Sequence, residues 1–186
     1  MQSSYKWVLF AVMLALSVTA QSQQPTIKRY ESGAVQFEYS YRGGKLHGIT
    51  KEYYETGEVK TEEHYKMGNL IAKKEFRRDG KPTYDMKLED GKKMATQLQY
   101  YPTGELFRER ALMDGLRHGL EIDYYRDGAK KAERNYLDGK KEGSAKGFHS
   151  NGNVQGDWIF ENGEPIFATI NYRGGQKWLV HSDFDE

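Results

Sequence analysis

Residues 100–128 read YYPTGELFRERALMDGLRHGLEIDYYRDG, and four glycines divide this stretch. They stand at Gly104, Gly115, Gly119 and Gly128, so the successive gaps are 11, 4 and 9 residues. Between them apolar and polar residues alternate, as in residues 120–124. Alternation with a period of two predicts strands with one buried face. The stretch therefore predicts antiparallel strands that are joined by glycine-containing turns.

The same spacing recurs with a period of 24 residues through most of the chain, and 15 of the 20 glycines follow it. Asp or Asn often precedes the turn glycine, and Asp-Gly and Asn-Gly favour type I′ hairpin turns. We assign a structural turn role to eight of these glycines: Gly57, Gly80, Gly104, Gly115, Gly128, Gly139, Gly152 and Gly163. Because a lone hairpin is only marginally stable, neighbouring repeats must stack. We predict an all-β fold, an elongated single antiparallel sheet of stacked β-hairpin repeats with about twelve strands.

A column of tyrosines is the candidate binding surface. Leu120, Ile122 and Tyr124 share one face of a predicted strand, and we expect that face to be buried. The residue after Tyr124 must point the opposite way, so the second tyrosine of each Tyr-Tyr pair should face solvent. We predict that these residues, with a histidine at the same repeat position, contact a partner: Tyr54, Tyr101, Tyr125 and His149. Arg77 interrupts the column.

The motif Tyr-x-x-Gly-x-x-x-Gly, at residues 41–48 and 136–143, resembles the MORN repeat. The form Tyr-Tyr-x-x-Gly, at residues 53–57, 100–104 and 124–128, is similar to the bacterial MORN-repeat variant of the YwqK-family antitoxins. The resemblance covers about residues 30–175 and implies an elongated, twisted sheet of stacked hairpins. It implies no catalytic residues. Two departures from the pattern are Ala72 and Ala95, which replace the second glycine of their repeats.

The N-terminus has the pattern of a secretory signal peptide. Lys6 precedes an apolar run, and Val18 and Ala20 stand at the small-residue positions of a cleavage site. The run is shorter than the roughly 20 residues that span a bilayer. We therefore predict a secreted or periplasmic protein with no transmembrane segment after cleavage. The predicted domains are a signal peptide at 1–20, an N-terminal linker at 21–29, the repeat array at 30–175 and a C-terminal capping segment at 176–186.

Composition excludes several classes of function. The chain has 28 Lys and Arg against 27 Asp and Glu, which argues against nucleic-acid binding. It has no cysteine, so disulfides, thiolate metal sites and a cysteine nucleophile are excluded. His47 and His118 occupy equivalent repeat positions but should lie about six strands, or roughly 29 Å, apart, too far to share a metal. We expect no metal site, no cofactor and no enzymatic activity.

Two binding functions and one catalytic function stay open at this point. The preferred one is a non-catalytic extracytoplasmic repeat module that binds or scaffolds a protein or a glycan at the cell envelope. The alternative is an immunity or antitoxin protein that neutralises a toxin by binding it, as the family resemblance implies. An enzyme acting on cell-wall sugars is the third class. Oligomeric state and partner identity are not encoded in any motif.

Overall fold

A computed structural model describes residues 24–171 and the backbone of residues 177–180. Within these residues the fold is all-β, as predicted, and contains no helix. The strands are β1 (Thr26–Arg29), β2 (Val35–Tyr39), β3 (Tyr41–Arg42), β4 (Lys45–Leu46), β5 (Gly48–Tyr53), β6 (Val59–Lys66), β7 (Asn69–Phe76), β8 (Pro82–Glu89), β9 (Lys92–Tyr100), β10 (Leu106–Met113), β11 (Leu116–Tyr124), β12 (Lys130–Leu137), β13 (Lys140–Phe148), β14 (Val154–Glu161), β15 (Glu164–Asn171) and β16 (Lys177–Val180).

Fourteen of these strands form one antiparallel sheet in which neighbours in sequence are neighbours in space. The order is β1, β2, then β5 to β16 in succession, while β3 and β4 form a separate two-stranded ribbon. The sheet is longer at both ends than the twelve strands expected. Residues 26–29, assigned to a linker, form β1 and pair with β2, and residues 177–180 of the capping segment pair with β15. The predicted signal peptide at 1–20 lies outside the described residues.

The 15 glycines that follow the 24-residue spacing, which we call the glycine lattice, lie in turns and β-bulges. All 15 of its glycines have positive φ. In the two-residue turns the preceding residue is also left-handed, as at Asp114 (φ 50) and Gly115 (φ 86), which is the type I′ geometry. The longer loops differ from the expectation. At Gly128 only the glycine has positive φ (85), and the Oδ1 atom of Asp127 accepts a hydrogen bond from the N–H group of Ala129 (3.0 Å).

The second glycine of the repeat produces a β-bulge. Gly119 (φ 92) lies where the register of β10 against β11 shifts, between Arg110 and Leu112. A residue with a side chain is strained at such a φ. Where Ala95 replaces this glycine, β8 and β9 pair without a register shift. The repeat with Ala95 therefore lacks the bulge, whereas the repeat with Ala72 keeps a register shift between His64 and Tyr65.

The two faces of the main sheet differ in exposure. Cross-strand pairing places Met86 opposite Ala95, Arg110 opposite Glu121 and Ala145 opposite Trp158 on one face, which we call the covered face. Every buried residue of the described chain lies on it: Thr50, Met86, Ala95, Glu121, Asp123, Tyr136, Ala145, Gly147 and Gly156. The opposite face, which carries Lys51, Leu120 and Asp157, is called the open face. No second layer packs on either face within the described residues, so shelter comes from the long side chains themselves.

This assignment corrects the sequence-based orientation of β11. Leu120 and Ile122 lie on the open face, and Leu120 is 41% exposed. The charged residues between and after them, Glu121 and Asp123, are the buried ones, at 3% and 5% exposure. The alternation was read correctly, but the apolar set was assigned to the wrong face because a single-layer sheet has no core that apolar residues must enter.

Candidate functional site

The tyrosines predicted to bind a partner lie at equivalent positions in the long loops. In each of the three loops the tyrosine N–H group donates to the carbonyl four residues on, and the tyrosine carbonyl accepts from the loop glycine. For Tyr125 these bonds join it to Ala129 (2.8 Å) and Gly128 (3.0 Å). His149 forms the same pair of bonds with Asn153 and Gly152. The sequence therefore located one column of equivalent residues.

The tyrosine hydroxyls hold successive repeats together. Tyr54 donates to the carbonyl of Phe76 (2.9 Å), Tyr101 to that of Tyr124 (2.8 Å) and Tyr125 to that of Phe148 (2.8 Å). Each acceptor lies 22 or 23 residues further along the chain, in the next repeat. These bonds give the tyrosine column a structural role that the sequence did not indicate.

The rings of this column are half-buried, whereas the sequence predicted a ladder facing solvent. Cationic groups lie over their faces: Arg78 over Tyr54 (5.3 Å to the ring centroid), Arg126 over Tyr101 (5.4 Å) and Lys131 over Tyr125 (5.7 Å). A guanidinium or ammonium group at this distance is attracted to the ring but also covers it. The partner-binding role of Tyr54, Tyr101, Tyr125 and His149 stays a prediction.

A charged cluster on the covered face was missed by sequence reasoning. Arg108, directly opposite Asp123, binds its carboxylate through both Nε and Nη2, and the Nη2–Oδ2 distance is 2.9 Å. From the other side, Arg134 Nη1 lies 3.0 Å from Asp123 Oδ2 and 3.3 Å from Glu121 Oε1. Arg110 Nε lies 3.2 Å from Glu121 Oε2. Three arginines thus enclose two buried carboxylates across β10, β11 and β12.

The arginines determine the charge state of this cluster. Burial alone would raise the pKa of Asp123, but hydrogen bonds from Arg108 and Arg134 outweigh burial and hold that pKa below its usual value. Burial and the nearby Glu121 carboxylate raise the pKa of the Tyr136 hydroxyl. Asp123 is therefore a paired carboxylate at neutral pH, which suits a structural ion network and not a general acid. The sequence does contain a signal for this cluster. Glu121 and Asp123 alternate with apolar residues on one predicted strand, and arginines occur with the same alternation on the strand before it and once on the strand after it.

A pocket lies beside this cluster on the covered face, with a volume of about 360 Å³. Its floor is made of small residues on β12 and β13, Ala132, Ala145 and Gly147. Trp158 forms one wall, and its ring occupies the space over two glycines. A Cβ added to Gly156 would lie 2.6 Å from Trp158 Cη2, and one added to Gly147 would lie 3.4 Å from Cζ3. The glycines at 147 and 156 are thus what allows the indole to lie along the sheet.

The charged residues among those that line the pocket are all cationic, Lys131, Arg134, Lys141 and Lys146, and the lining includes no carboxylate. Arg134 is paired with Glu121 and Asp123, and Lys146 with Asp157 (3.7 Å). Lys141 Nζ lies 4.5 Å from the centroid of the Phe160 ring.

Ion pairs on the open face follow the repeat. Lys51 faces Glu62, Lys74 faces Asp85, and Lys146 faces Asp157, with N–O distances of 3.8, 3.4 and 3.7 Å. In the two middle repeats the lysine of this pair is replaced, so that Leu98 faces Glu109 and Ile122 faces Glu133. The middle of the open face therefore loses two cations and gains two apolar side chains.

A shallow groove of about 480 Å³ opens on the same face at β8 to β10. Met94, Leu98 and Ala111 contribute apolar surface, as do neighbouring parts of the chain. Three carboxylates and one ammonium group also line it, from Asp85, Glu89, Glu109 and Lys87. The groove is therefore apolar at its base and negatively charged at its rim.

Two of the histidines contact hairpin turns. His47 Nδ1 accepts a hydrogen bond from the N–H group of Met67 (3.3 Å), and His118 Nδ1 lies 3.2 Å from Asp138 Oδ1. Each thus contacts the hairpin turn of the following repeat. No group of three or more metal-ligating side chains that could hold an ion occurs in the part of the chain that the structure describes. In the same residues, no helix has the length and apolar character needed to cross a membrane.

Comparison with known proteins finds a family model that matches three of the repeats. Three segments, residues 46–67, 117–138 and 141–164, match the family model of the MORN repeat variant. These matches support MORN-type repeats in the three segments, and repeats of this type suggest a binding module. The comparison does not extend to the YwqK-family antitoxins. No curated protein matches the chain.

Two solved structures share limited similarity with the chain. The crystal structure of TarM is 12% identical, with 57% of this chain and 20% of that chain covered and a TM-score of 0.33. A mutant of S. aureus TarM in complex with fondaparinux, alpha-GlcNAc-glycerol and UDP is 10% identical, with 78% and 21% covered and a TM-score of 0.30. The chain thus spans about a fifth of the length of these proteins. Similarity at this level carries no argument about function.

Proposed function

We propose that this chain is a non-catalytic, extracytoplasmic repeat module that binds a protein partner at the cell envelope through the open face of its middle repeats. The observation that carries the proposal is that Leu98 and Ile122 stand at the repeat positions where the other repeats have an ion-paired lysine. Elsewhere in the array the equivalent positions carry lysines paired with carboxylates. An apolar, carboxylate-rimmed interruption of a row of ion pairs is typical of an interaction site.

The apolar and acidic side chains of this surface indicate the chemical character of the partner that would bind it. Leu98 contributes apolar surface, and Glu109 faces Leu98 and Ile122 on its two neighbouring strands, whereas Glu133 faces Ile122 on one side and Lys146 on the other. Tyr124 donates a long hydrogen bond to Glu109 (3.4 Å), and Lys130 pairs with Glu133 (3.2 Å). The matching surface on a partner is an apolar segment flanked by basic side chains, because it would bury Leu98 and Ile122 and pair the carboxylates.

The location outside the cytoplasm rests on the signal-peptide pattern of residues 1–20. Expression of the full chain with its own leader, followed by cell fractionation and N-terminal sequencing, tests this part. Release of a product beginning near Gln21 supports it. A cytoplasmic product that retains Met1 would contradict it.

The binding surface is tested by giving the middle repeats the residues of their neighbours. The Leu98→Lys, Ile122→Lys double variant restores the lysines of the equivalent positions and offers each a facing carboxylate, so it should fold. We expect wild type to capture an envelope protein that the double variant loses, and the purified protein to bind wild type directly. The matched control is Lys51→Gln, which alters the same row outside the middle repeats. A folded double variant that binds as wild type does would overturn the proposal. If the captured protein is a toxin, the same surface performs the immunity function that the resemblance offers as the alternative.

A further inference from the structure

The pocket beside Trp158 on the covered face is a candidate for a second binding site. It lies on the opposite face of the sheet from Leu98 and Ile122, so its occupancy does not depend on the protein partner proposed above. Its volume of about 360 Å³ falls in the range of small-molecule sites. Three features of its lining restrict what it can hold: a flat aromatic wall, a cationic rim and one amide side chain.

The position of the aromatic wall depends on two glycines beneath it. The Trp158 indole lies over Gly147 and Gly156, where a Cβ at either position would come within 3.4 Å of the ring or closer. Because the small residues Ala132 and Ala145 continue the floor beside it, an open space remains next to the indole. A tryptophan wall beside an empty floor suits a ligand with a flat, partly apolar face.

The charge of the lining selects for an anion. Lys131, Arg134, Lys141 and Lys146 contribute to the lining and no carboxylate does, but the Lys146 side chain lies on the open face. Two of these cations already have acidic partners, Arg134 in the buried cluster and Lys146 in the open-face pair with Asp157. Lys131 and Lys141 instead lie near the rings of Tyr125 and Phe160, at 5.7 and 4.5 Å from their centroids. Their ammonium groups are therefore the ones available to an anionic ligand.

The amide adds a third requirement. Gln155 lies at the bulge between β13 and β14, and its Oε1 atom would be 3.7 Å from a Cβ at Gly147, which places it at the floor of the pocket. A side-chain amide both donates and accepts hydrogen bonds, as a hydroxyl-rich ligand requires. An aromatic acid would use the indole and the lysines but would leave this amide without a role.

We propose that this pocket binds an acidic sugar unit, a sugar ring that carries a carboxylate. The C–H face of the ring stacks on Trp158, the carboxylate pairs with Lys131 or Lys141 at one end of the pocket, and the hydroxyls bond with Gln155.

Isothermal titration of the folded protein with oligogalacturonate tests the proposal, with cellohexaose as the neutral sugar and sodium sulfate as the sugar-free anion. We expect oligogalacturonate to bind and the two controls not to bind, with affinity falling as salt is raised. Equal binding of cellohexaose, equal binding of sulfate, or no binding of oligogalacturonate at millimolar concentration would each overturn the proposal.

Variants locate the site. Lys131→Gln with Lys141→Gln should weaken oligogalacturonate binding about tenfold, or ~1.4 kcal/mol. The matched control, Lys74→Gln with Lys51→Gln, removes two open-face lysines and should leave affinity unchanged. Far-UV circular dichroism confirms that each variant is folded. If the two double variants weaken binding equally, the interaction is general charge attraction and the pocket assignment is wrong.

Discussion

The two faces of β11 carry opposite chemistry and opposite exposure. On the covered face Glu121 and Asp123 are 3% and 5% exposed, and on the open face Leu120 is 41% exposed. In a layered protein the apolar residues would have been buried against a second layer. Here the charged face is sheltered because the side chains of Arg108, Arg110 and Arg134 extend over the carboxylates. In a single-layer sheet, the length and pairing of side chains decide burial, and polarity alone does not.

The two faces should also differ in how much their ion pairs contribute to stability. Breaking a buried ion pair leaves an uncompensated charge, whereas an exposed pair contributes little. The covered face should therefore be sensitive to the loss of a single carboxylate, and the open face should tolerate changes even at its apolar residues.

The largest expected effect comes from removing the carboxylate at the centre of the covered-face cluster. Asp123→Ala leaves Arg108 and Arg134 without their shared partner, and we expect it to lower the free energy of unfolding by about 3 kcal/mol. The matched change on the open face is Asp157→Ala, whose partner Lys146 is 45% exposed, and we expect a loss of about 0.5 kcal/mol. Urea denaturation of both variants measures the contrast. Equal losses would show that the covered face is not distinct.

The same contrast should depend on pH. Because the folded-state pKa of Asp123 is lowered by the arginines, its contribution is present above the unfolded-state pKa of about 3.9 and is lost as pH falls through the folded value. The stability difference between wild type and Asp123→Asn should be large at pH 7 and shrink below about pH 4. A difference that is constant from pH 7 to pH 3 would show that the pKa of Asp123 is the same in the folded and unfolded states, so that the arginines do not lower it.

Turn geometry should matter next, independently of either face. Gly128 has φ 85, where a β-branched side chain costs about 1–2 kcal/mol, so Gly128→Val should clearly lower the melting temperature. Lys131→Ala, three residues away and exposed, should change it little. Thermal unfolding followed by circular dichroism compares them, and similar shifts would count against the turn assignment.

The bonds between repeats should have a smaller effect. Tyr125→Phe removes the hydroxyl that donates to the Phe148 carbonyl (2.8 Å) and keeps the ring, so we expect a loss of about 1 kcal/mol. Tyr41→Phe, at a tyrosine that is 38% exposed, is the control. If the Tyr125 variant is as stable as wild type and loses its envelope partner, the tyrosine column binds that partner, as the sequence first predicted.

The smallest effect is expected on the open face itself. Leu120→Ser removes an apolar side chain that is already 41% exposed, and we expect a change within about 0.5 kcal/mol. A loss comparable to that of Asp123→Ala would mean that the open face is covered in solution, for example by a second copy of the chain. Size-exclusion chromatography with light scattering would then measure the assembly.

The fold could be predicted from the sequence because backbone geometry constrains it. Positive φ restricts residue choice strongly, so the glycines marked the turns, and alternation marked the strands between them. The orientation of β11 could not be obtained this way. Period two separates Leu120 from Glu121 but does not say which side is sheltered, and the answer depends on Arg108 and Arg134 from neighbouring strands.

The candidate sites were predicted less completely. The tyrosine column was located correctly because it follows the repeat, but its hydroxyl bonds join residues 22 or 23 positions apart and need the register of the sheet. The pocket beside Trp158 depends on where the repeat deviates. Gly147 and Gly156 lie off the glycine lattice, and the open floor beside the indole follows from their missing side chains.

The bonds from each repeat to the next have a consequence for how the chain changes in evolution. Tyr30, Tyr54, Tyr101 and Tyr125 each reach one repeat forward, and Arg77 does so by lying over the ring of Tyr100 (5.2 Å). Since each repeat contacts only its neighbours, duplication or deletion of one 24-residue segment leaves every remaining junction of the same kind. The number of repeats can therefore change by duplication or deletion of a gene segment without a new fold, while individual repeats accumulate the substitutions that create a binding surface.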